Sequence, residues 1–187
     1  MTVELEPTAA LVVIDVQKAF DSPALGHRDN PEAEANVGRL VGAWQASGRP
    51  IVRVRHTDRD GGPFAPDAPE HDFKPVVADL TPDLDVEKEV HSAFHGAPDL
   101  HSWLTAQGIS QIVVCGIQTN RCCESTARVG GDLGYDVVFP IDAMHTFDKK
   151  GPDGTIFTAE HLSAATAATL HRYFATVVST SDLVGDS

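Results

Sequence analysis

The sequence predicts an α/β protein: a single-domain, three-layer α/β/α sandwich of Rossmann-like type, built on a six-stranded parallel sheet. Three observations carry this. Short apolar, β-branched runs alternate along the chain with segments of helical periodicity, the pattern of repeated βαβ units. Runs such as "AALVVI" and "IVVCGI" are apolar on both faces, as strands covered by helices on two sides must be. The 187 residues fit one domain, spanning 1–187, with length enough for a sizeable core.

Taken in order, "AALVVIDV" (9–16) is an apolar run closed by an acid and reads as the first strand. In the helix that follows, Asn30 is placed to cap, Pro31 to open and Gly48 to stop, while Val37, Leu40, Val41 and Trp44 share one face. "PIVRVRH" (50–56) is the second strand. Residues 57–82, with Gly61, Gly62, Pro63, Pro66, Pro69, Pro75 and Pro82, read as a long loop of a kind that is usually functional or linker-like. A short strand at 83–88 precedes a helix over 98–107 whose Leu100, Trp103 and Leu104 coincide on a face and which Gly108 ends. "QIVVCGI" (111–117) is the fourth strand, followed by a helix over 121–133 and a fifth strand over 135–142. An Ala-rich helix over 158–174, capped by Thr158, and a strand over 175–180 complete the set.

Composition excludes several functions. The net charge is −13, from 14 Lys and Arg against 27 Asp and Glu, with no basic run or basic helix. Phosphate backbones demand clustered Lys and Arg, so nucleic acids and anionic membranes are not expected partners. No apolar run approaches the roughly 18 residues a membrane span needs, and the N-terminus shows no signal-peptide pattern, so a cytoplasmic address is expected. Three cysteines make no disulfide framework. Adjacent Cys122 and Cys123 do not meet the geometry of a bridge, and no C-x-x-C spacing suggests a zinc cage.

Ligands of open α/β sheets bind beyond the carboxyl ends of the strands. Asp15 ends the first strand, Lys88 the third, and Cys122 follows the fourth into a helix. An acid, an amine and a thiol are thus delivered toward one edge. At a helix entrance beside a lysine, a thiol is expected to favour its thiolate. Asp15 is placed to take the thiol proton and relay it to a leaving amine, and backbone amides of the turn to hold an oxyanion. This is an acyl-transfer site built without histidine.

Four blocks in order, "LVVIDVQKAF" (11–20), "VEKEVHSAF" (86–94), "VVCGIQTNRCCESTA" (113–127) and "GYDVVFPIDA" (134–143), resemble the isochorismatase-like cysteine hydrolases. That superfamily includes nicotinamidases and carbamoylsarcosine amidohydrolases. The resemblance implies a triad of Asp15, Lys88 and Cys122, with Cys123 a packing residue where the family usually places valine. It implies a non-proline cis peptide at Ile117–Gln118 that turns the Gln118 N–H, with that of Cys122, toward the oxyanion. It also implies a homodimer or homotetramer in which a neighbouring subunit often contributes to the site.

The activity implied is hydrolysis of a small-molecule amide C–N bond through a thioester. Isochorismatase-type vinyl-ether cleavage and a metal-dependent nicotinamidase are the alternatives. Candidate substrate contacts are Gln17, Phe20, His56, Phe64, Phe94, Thr119 and His145. No cofactor is expected. Nicotinamidases hold a divalent metal, such as zinc, with an Asp-x-His pair and a later His. Here the matching residues read His56, Asp58 and His71, with the order reversed, which argues against nicotinamide as the substrate. His91 and His95 read as surface or pocket-lining residues, and Ala97 stands where the family has threonine.

Overall fold

A computed structural model describes residues 3–185. In chain order its elements are β1 (Ala10–Ile14), α1 (Ala33–Ser47), β2 (Ile51–His56), α2 (Pro75–Ala78), β3 (Leu84–Lys88), α3 (Leu100–Ala106) and β4 (Gln111–Ile117). Then follow α4 (Glu124–Asp132), β5 (Asp136–Pro140), β6 (Met144–His145), β7 (Lys149–Lys150), β8 (Ile156–Phe157), α5 (Ala159–Leu170), β9 (Thr176–Val178) and α6 (Thr180–Val184). The main sheet runs β3-β2-β1-β4-β5-β9, and every pairing in it is parallel. Among the described residues no helix is long and apolar enough to cross a membrane.

The sheet divides the core by the alternation of its strands. Ala10, Val12 and Ile14 of β1, with Ile112 and Val114 of β4, face a cluster that takes in Leu100 and Leu104 of α3, Ala127 of α4 and Leu170 of α5. Leu11 and Val13, with Val113, Cys115 and Ile117, face Val37, Leu40, Val41 and Trp44 of α1 on the other side. Every residue of β1 and β4 is buried, as the doubly apolar runs require. The α1 stripe is buried as its spacing predicts, and Trp44 Nε1 donates to the Ala9 carbonyl at 2.8 Å, which spares a buried N–H the cost of going unpaired.

Several boundaries differ from the sequence reading, each for a local reason. Asn30 does not cap α1, which begins at Ala33. Its side chain instead donates to the carbonyls of Asp142 and Met144, tying the helix entry to the far strand turn. The segment 57–82 contains α2 and buries Phe73 and Val77, with the Arg53 and Arg55 guanidiniums 4.4 and 4.3 Å from the Phe73 ring. β5 stops at Pro140. After a short turn the chain rejoins β4 as β6, pairing Met144 with Gly116 and His145 with Ile117. The six strands expected form the continuous path of the sheet, and the two-residue β6 adds a seventh beside β4. A two-residue strand leaves no periodicity to read. The Ala-rich helix ends at Leu170, because Arg172 turns into the left-handed region at φ 69°. Thr158 caps it as expected, its side chain accepting from the His161 N–H.

Candidate active site

Strand register brings the reactive residues together. Ile14 lies beside Val54 on one side and Gly116 on the other, and His56 lies beside Lys88. Directly after Ile14 the backbone turns: Asp15 takes φ 50°, its N–H donating to Val54 O at 2.9 Å while its carbonyl accepts from Gln17 N at 2.7 Å. A left-handed non-glycine residue at a strand end is uncommon and tends to mark functional sites. Gly116 makes the close approach beside it. At φ 124° a Cβ would fall 2.0 Å from the Ile14 carbonyl oxygen, so only glycine fits.

Lys88 is inward for a reason visible in the strand alternation. Leu84, Val86 and Lys88 share one face, while Asp85 and Glu87 point to solvent at the sheet edge. Lys88 Nζ donates to Asp15 Oδ2 at 2.6 Å, with both side chains fully buried. Asp15 Oδ1 is buried with no hydrogen-bond partner. Burial pushes the ammonium toward neutrality, but the charge of Asp15, with the hydrogen bond to it, leads the effects that more than reverse this, and the Lys88 pKa is raised.

Cys122 sits in a single π-helical turn, Thr119–Cys123, that widens the entrance to α4; the α-helix proper starts only at Glu124. The turn is held by the Gln118 carbonyl, which accepts from Arg121 N and Cys123 N at 3.2 Å each. The peptide Ile117–Gln118 is cis. Contrary to the thiolate expected at this position, the Cys122 thiol is pushed up to about 12. Burial is the first cause and the Asp15 charge the second, with Lys88 offsetting only part. The resting sulfur is therefore protonated at neutral pH. Cys123 is fully buried among the core residues on the α4 side, a packing residue, and Cys115 lies inside β4.

Two histidines flank these three residues: His56, expected as a substrate contact, and His91, expected only to line the surface or the pocket. His56 Nδ1 lies 3.3 Å from Lys88 Nζ, and burial followed by the Lys88 charge lowers its pKa, so it is neutral and accepts. His91 Nδ1 lies 3.7 Å from Cys122 Sγ. The sequence did carry a signal for His91: it follows Lys88 by three residues, in the turn that leaves the strand end.

The remaining candidates separate. Phe64 is half-buried, stands 5.3 Å edge-on to His56 and packs 5.0 Å from Phe20, which in turn stacks on Phe147 at 6.4 Å. These rings make an aromatic wall leading to His56, and Phe147 in it was not foreseen. Gln17 is not a substrate contact. Its side-chain amide donates to the carbonyls of His56 and His71 at 3.0 and 2.9 Å and accepts from His56 N at 2.8 Å, so its capacity is consumed in pinning the loop. Phe94 is core, stacked on Tyr135 at 5.6 Å. His145 is fully buried, 3.4 Å from Glu34, with a pKa lowered by burial. Thr119 is fully buried, its hydroxyl unpartnered. Thr146 was missed: its hydroxyl donates to Asn120 at 2.6 Å and its N–H to Asp29 at 2.7 Å, bracing the Cys122 turn from just beyond β6.

Metal ligation at His56, Asp58 and His71 does not fit. Asp58 is exposed and its Oδ1 accepts from Asp60 N, while buried His71 has its Nε2 3.0 Å from Thr57 Oγ1. Among the described residues, donor atoms converge within 4.8 Å of one another at Asp15, His56 and Cys122, and again at His27, Asp148 and Glu160. In the first group the Lys88 ammonium is already bonded to Asp15 and close to His56.

A buried acid–lysine pair thus lies beside a cysteine at the carboxyl end of a parallel sheet. The Isochorismatase domain family matches residues 9–182, and the chain belongs to that family of hydrolases. Among curated proteins it is similar to the uncharacterized isochorismatase family protein YrdC of Bacillus subtilis, 32% identical over 183 residues, 97% of each chain. It is also similar to a streptothricin hydrolase of Streptomyces noursei, 34% identical over 142 residues, covering 74% of this chain and 50% of that one. Among solved structures, an isochorismatase-family hydrolase from Chromobacterium violaceum superposes with a TM-score of 0.91 at 32% identity, covering 96% of this chain and 93% of that one.

Proposed function

We propose that the protein hydrolyses a small-molecule amide through a thioester on Cys122. The observation that carries this is the convergence of three reactive groups. The Lys88–Asp15 contact is 2.6 Å, and the Cys122 sulfur lies within 4.8 Å of the Asp15 and His56 donors. As substrate binds, Asp15 takes the thiol proton while Sγ bonds to the amide carbon. Lys88 stabilises the anionic charge the thiol leaves behind. The backbone N–H groups of Gln118 and Cys122 are assigned to the oxyanion. Asp15 then hands the proton to the departing nitrogen as the C–N bond breaks, and water clears the thioester.

The wall of His56, Phe64, Phe20 and Phe147 favours a flat, partly apolar substrate beside the carbonyl. Similarity to a streptothricin hydrolase supports a cyclic amide among the candidates. No cofactor is required by this chemistry. The scattering of His56, Asp58 and His71 disfavours the nicotinamidase reading. Assembly as a homodimer or homotetramer belongs to the same proposal.

The test is ammonia or amine release from an amide panel by wild type, Cys122→Ala and Cys123→Ala. Loss in the first variant and retention in the second is expected. Equal activity of wild type and Cys122→Ala would sink the nucleophile assignment. Hydrolysis of a vinyl ether with no thioester detectable by mass spectrometry would favour the isochorismatase-type alternative.

A further inference from the structure

The aromatic wall beside the sulfur is polar at one ring only. Phe64, Phe20 and Phe147 offer no conventional hydrogen bond, so His56 decides which polar group a substrate can present there. Both the backbone and the ring of His56 are fixed. Its N–H donates to Gln17 Oε1 at 2.8 Å and its carbonyl accepts from Gln17 Nε2 at 3.0 Å, while the Gln17 N–H is bonded to the Asp15 carbonyl at 2.7 Å. Phe64 stands at right angles to the ring, 5.3 Å away between centroids. Nδ1 lies 3.3 Å from Lys88 Nζ, and fully buried Asp15 holds that ammonium at 2.6 Å. The Lys88 contact also fixes the proton of the ring. An ammonium has three donors and no acceptor, so Nδ1 presents its lone pair and the neutral ring carries its hydrogen on Nε2. Nε2 is on the edge of this half-buried ring away from Lys88, and among the described residues it makes no hydrogen bond.

We propose that the Nε2–H of His56 is the specificity-determining donor of the site. The substrate it selects is an amide with a second hydrogen-bond acceptor, a carbonyl oxygen or an unprotonated ring nitrogen, close to the scissile carbonyl. This assignment rests on the cysteine-hydrolase reading above. The donor atoms of Asp15, His56 and Cys122 lie within 4.8 Å of one another, so an acceptor that reaches His56 sits within a few bonds of the carbon that Sγ attacks. An analogue with C–H in that place leaves the Nε2–H against an apolar group and without a partner, at a cost in affinity. A donor or a cation in that place meets an N–H with the Lys88 charge behind it, and is rejected more strongly. The phenyl rings thus select a flat ligand, and His56 selects the acceptor on it.

The experiment uses aldehydes of one shape, benzaldehyde and the three isomeric pyridinecarboxaldehydes, which differ in whether and where the ring carries an acceptor. Cys122 Sγ bonds to the aldehyde carbon and the thiol proton passes to the carbonyl oxygen. Calorimetry reads the dissociation constant of this thiohemiacetal. Dividing each constant by that of mercaptoethanol with the same aldehyde removes the intrinsic reactivity of the carbonyl. In the wild type at least one pyridine isomer should then bind roughly 3- to 10-fold tighter than benzaldehyde, the worth of one neutral hydrogen bond. His56→Leu should erase that preference. His56→Gln, whose amide offers both an acceptor for Lys88 and a donor for the ligand, should keep part of it. The preference is a ratio within each variant, so a general loss of affinity leaves it unchanged. If His56→Leu binds no aldehyde at all, the wild type and His56→Gln decide. A wild type with no preference overturns the proposal, as does a preference that His56→Leu leaves intact. A wild type that binds none of the aldehydes, or a Cys122→Ala variant that binds them as the wild type does, counts instead against the cysteine reading itself.

Discussion

Replacing Lys88 by methionine removes one charge from the buried core of the site while nearly preserving the volume of the side chain. Asp15 keeps its place, fully buried, with Oδ1 unpartnered and Oδ2 stripped of its 2.6 Å donor. Breaking a buried ion pair by removing one partner costs about 3–5 kcal/mol, because the charge left behind is uncompensated. With a urea slope of about 2 kcal/mol per molar, the unfolding midpoint should fall by about 1.5–2.5 M at neutral pH and fixed protein concentration. The double variant Asp15→Asn, Lys88→Met leaves no buried charge and should recover most of that loss.

The wild type supplies a second check through linkage. The Lys88 pKa is raised in the folded state, so the stability it contributes is complete below the unfolded value of about 10.4 and is lost as pH climbs through the folded value. Lys88→Met should lack this alkaline limb. Urea unfolding followed by far-UV circular dichroism across pH reads both effects. A Lys88→Met variant as stable as wild type at pH 7, or a double variant no better than the single, would refute the view that Asp15 and Lys88 form a buried ionised pair.

Two further perturbations follow from the packing. Gly116→Ala places a methyl 2.0 Å from the Ile14 carbonyl oxygen and requires φ 124° of an L-residue, so it should destabilise by more than about 2 kcal/mol and lower Cys122 alkylation by iodoacetamide. Glu34 joins Arg28, Lys74 and His145. Burial raises its pKa, but the nearby His145 ring and the hydrogen bonds from Arg28 and Lys74 outweigh that and hold it well below the usual carboxylate range. Its contribution is therefore present above about pH 4.5 and lost as pH falls below it. Glu34→Gln should be less stable than wild type at pH 7, with the gap in thermal midpoint closing on acidification.

Much of the fold was legible because its signals are local. Doubly apolar runs at β1 and β4, the Val37–Trp44 stripe, the Thr158 cap and the Gly48 stop each act within a few residues of chain. The seventh strand was not legible, since β6 takes the edge that β4, outrunning β5, leaves open at Gly116 and Ile117 on the side away from β1. In the site, Asp15, Lys88 and Cys122 could be named from their places at strand ends. Gln17 and Phe94 could not be sorted the same way. Whether an amide meets backbone and a ring meets core depends on partners 39 and more residues away in Gln17's case and on Tyr135 in the other.

The sequence by itself indicated the layer order and placed Asp15, Lys88 and Cys122 at strand ends, because apolar runs and helical spacing are local signals. The different roles of Cys122 and Cys123 are what the resemblance of the four blocks implies. Only the tertiary structure decided their chemical state. Desolvation first, and the charge of buried Asp15 second, pushes the Cys122 thiol up where a helix entrance alone would favour the thiolate. The Lys88 ammonium is bonded to Asp15 and close to His56, partners that lie 73 and 32 residues away along the chain. His91 comes within 3.7 Å of the sulfur from another strand's exit. Charge, burial and proton routes are sums over neighbours that no stretch of chain contains.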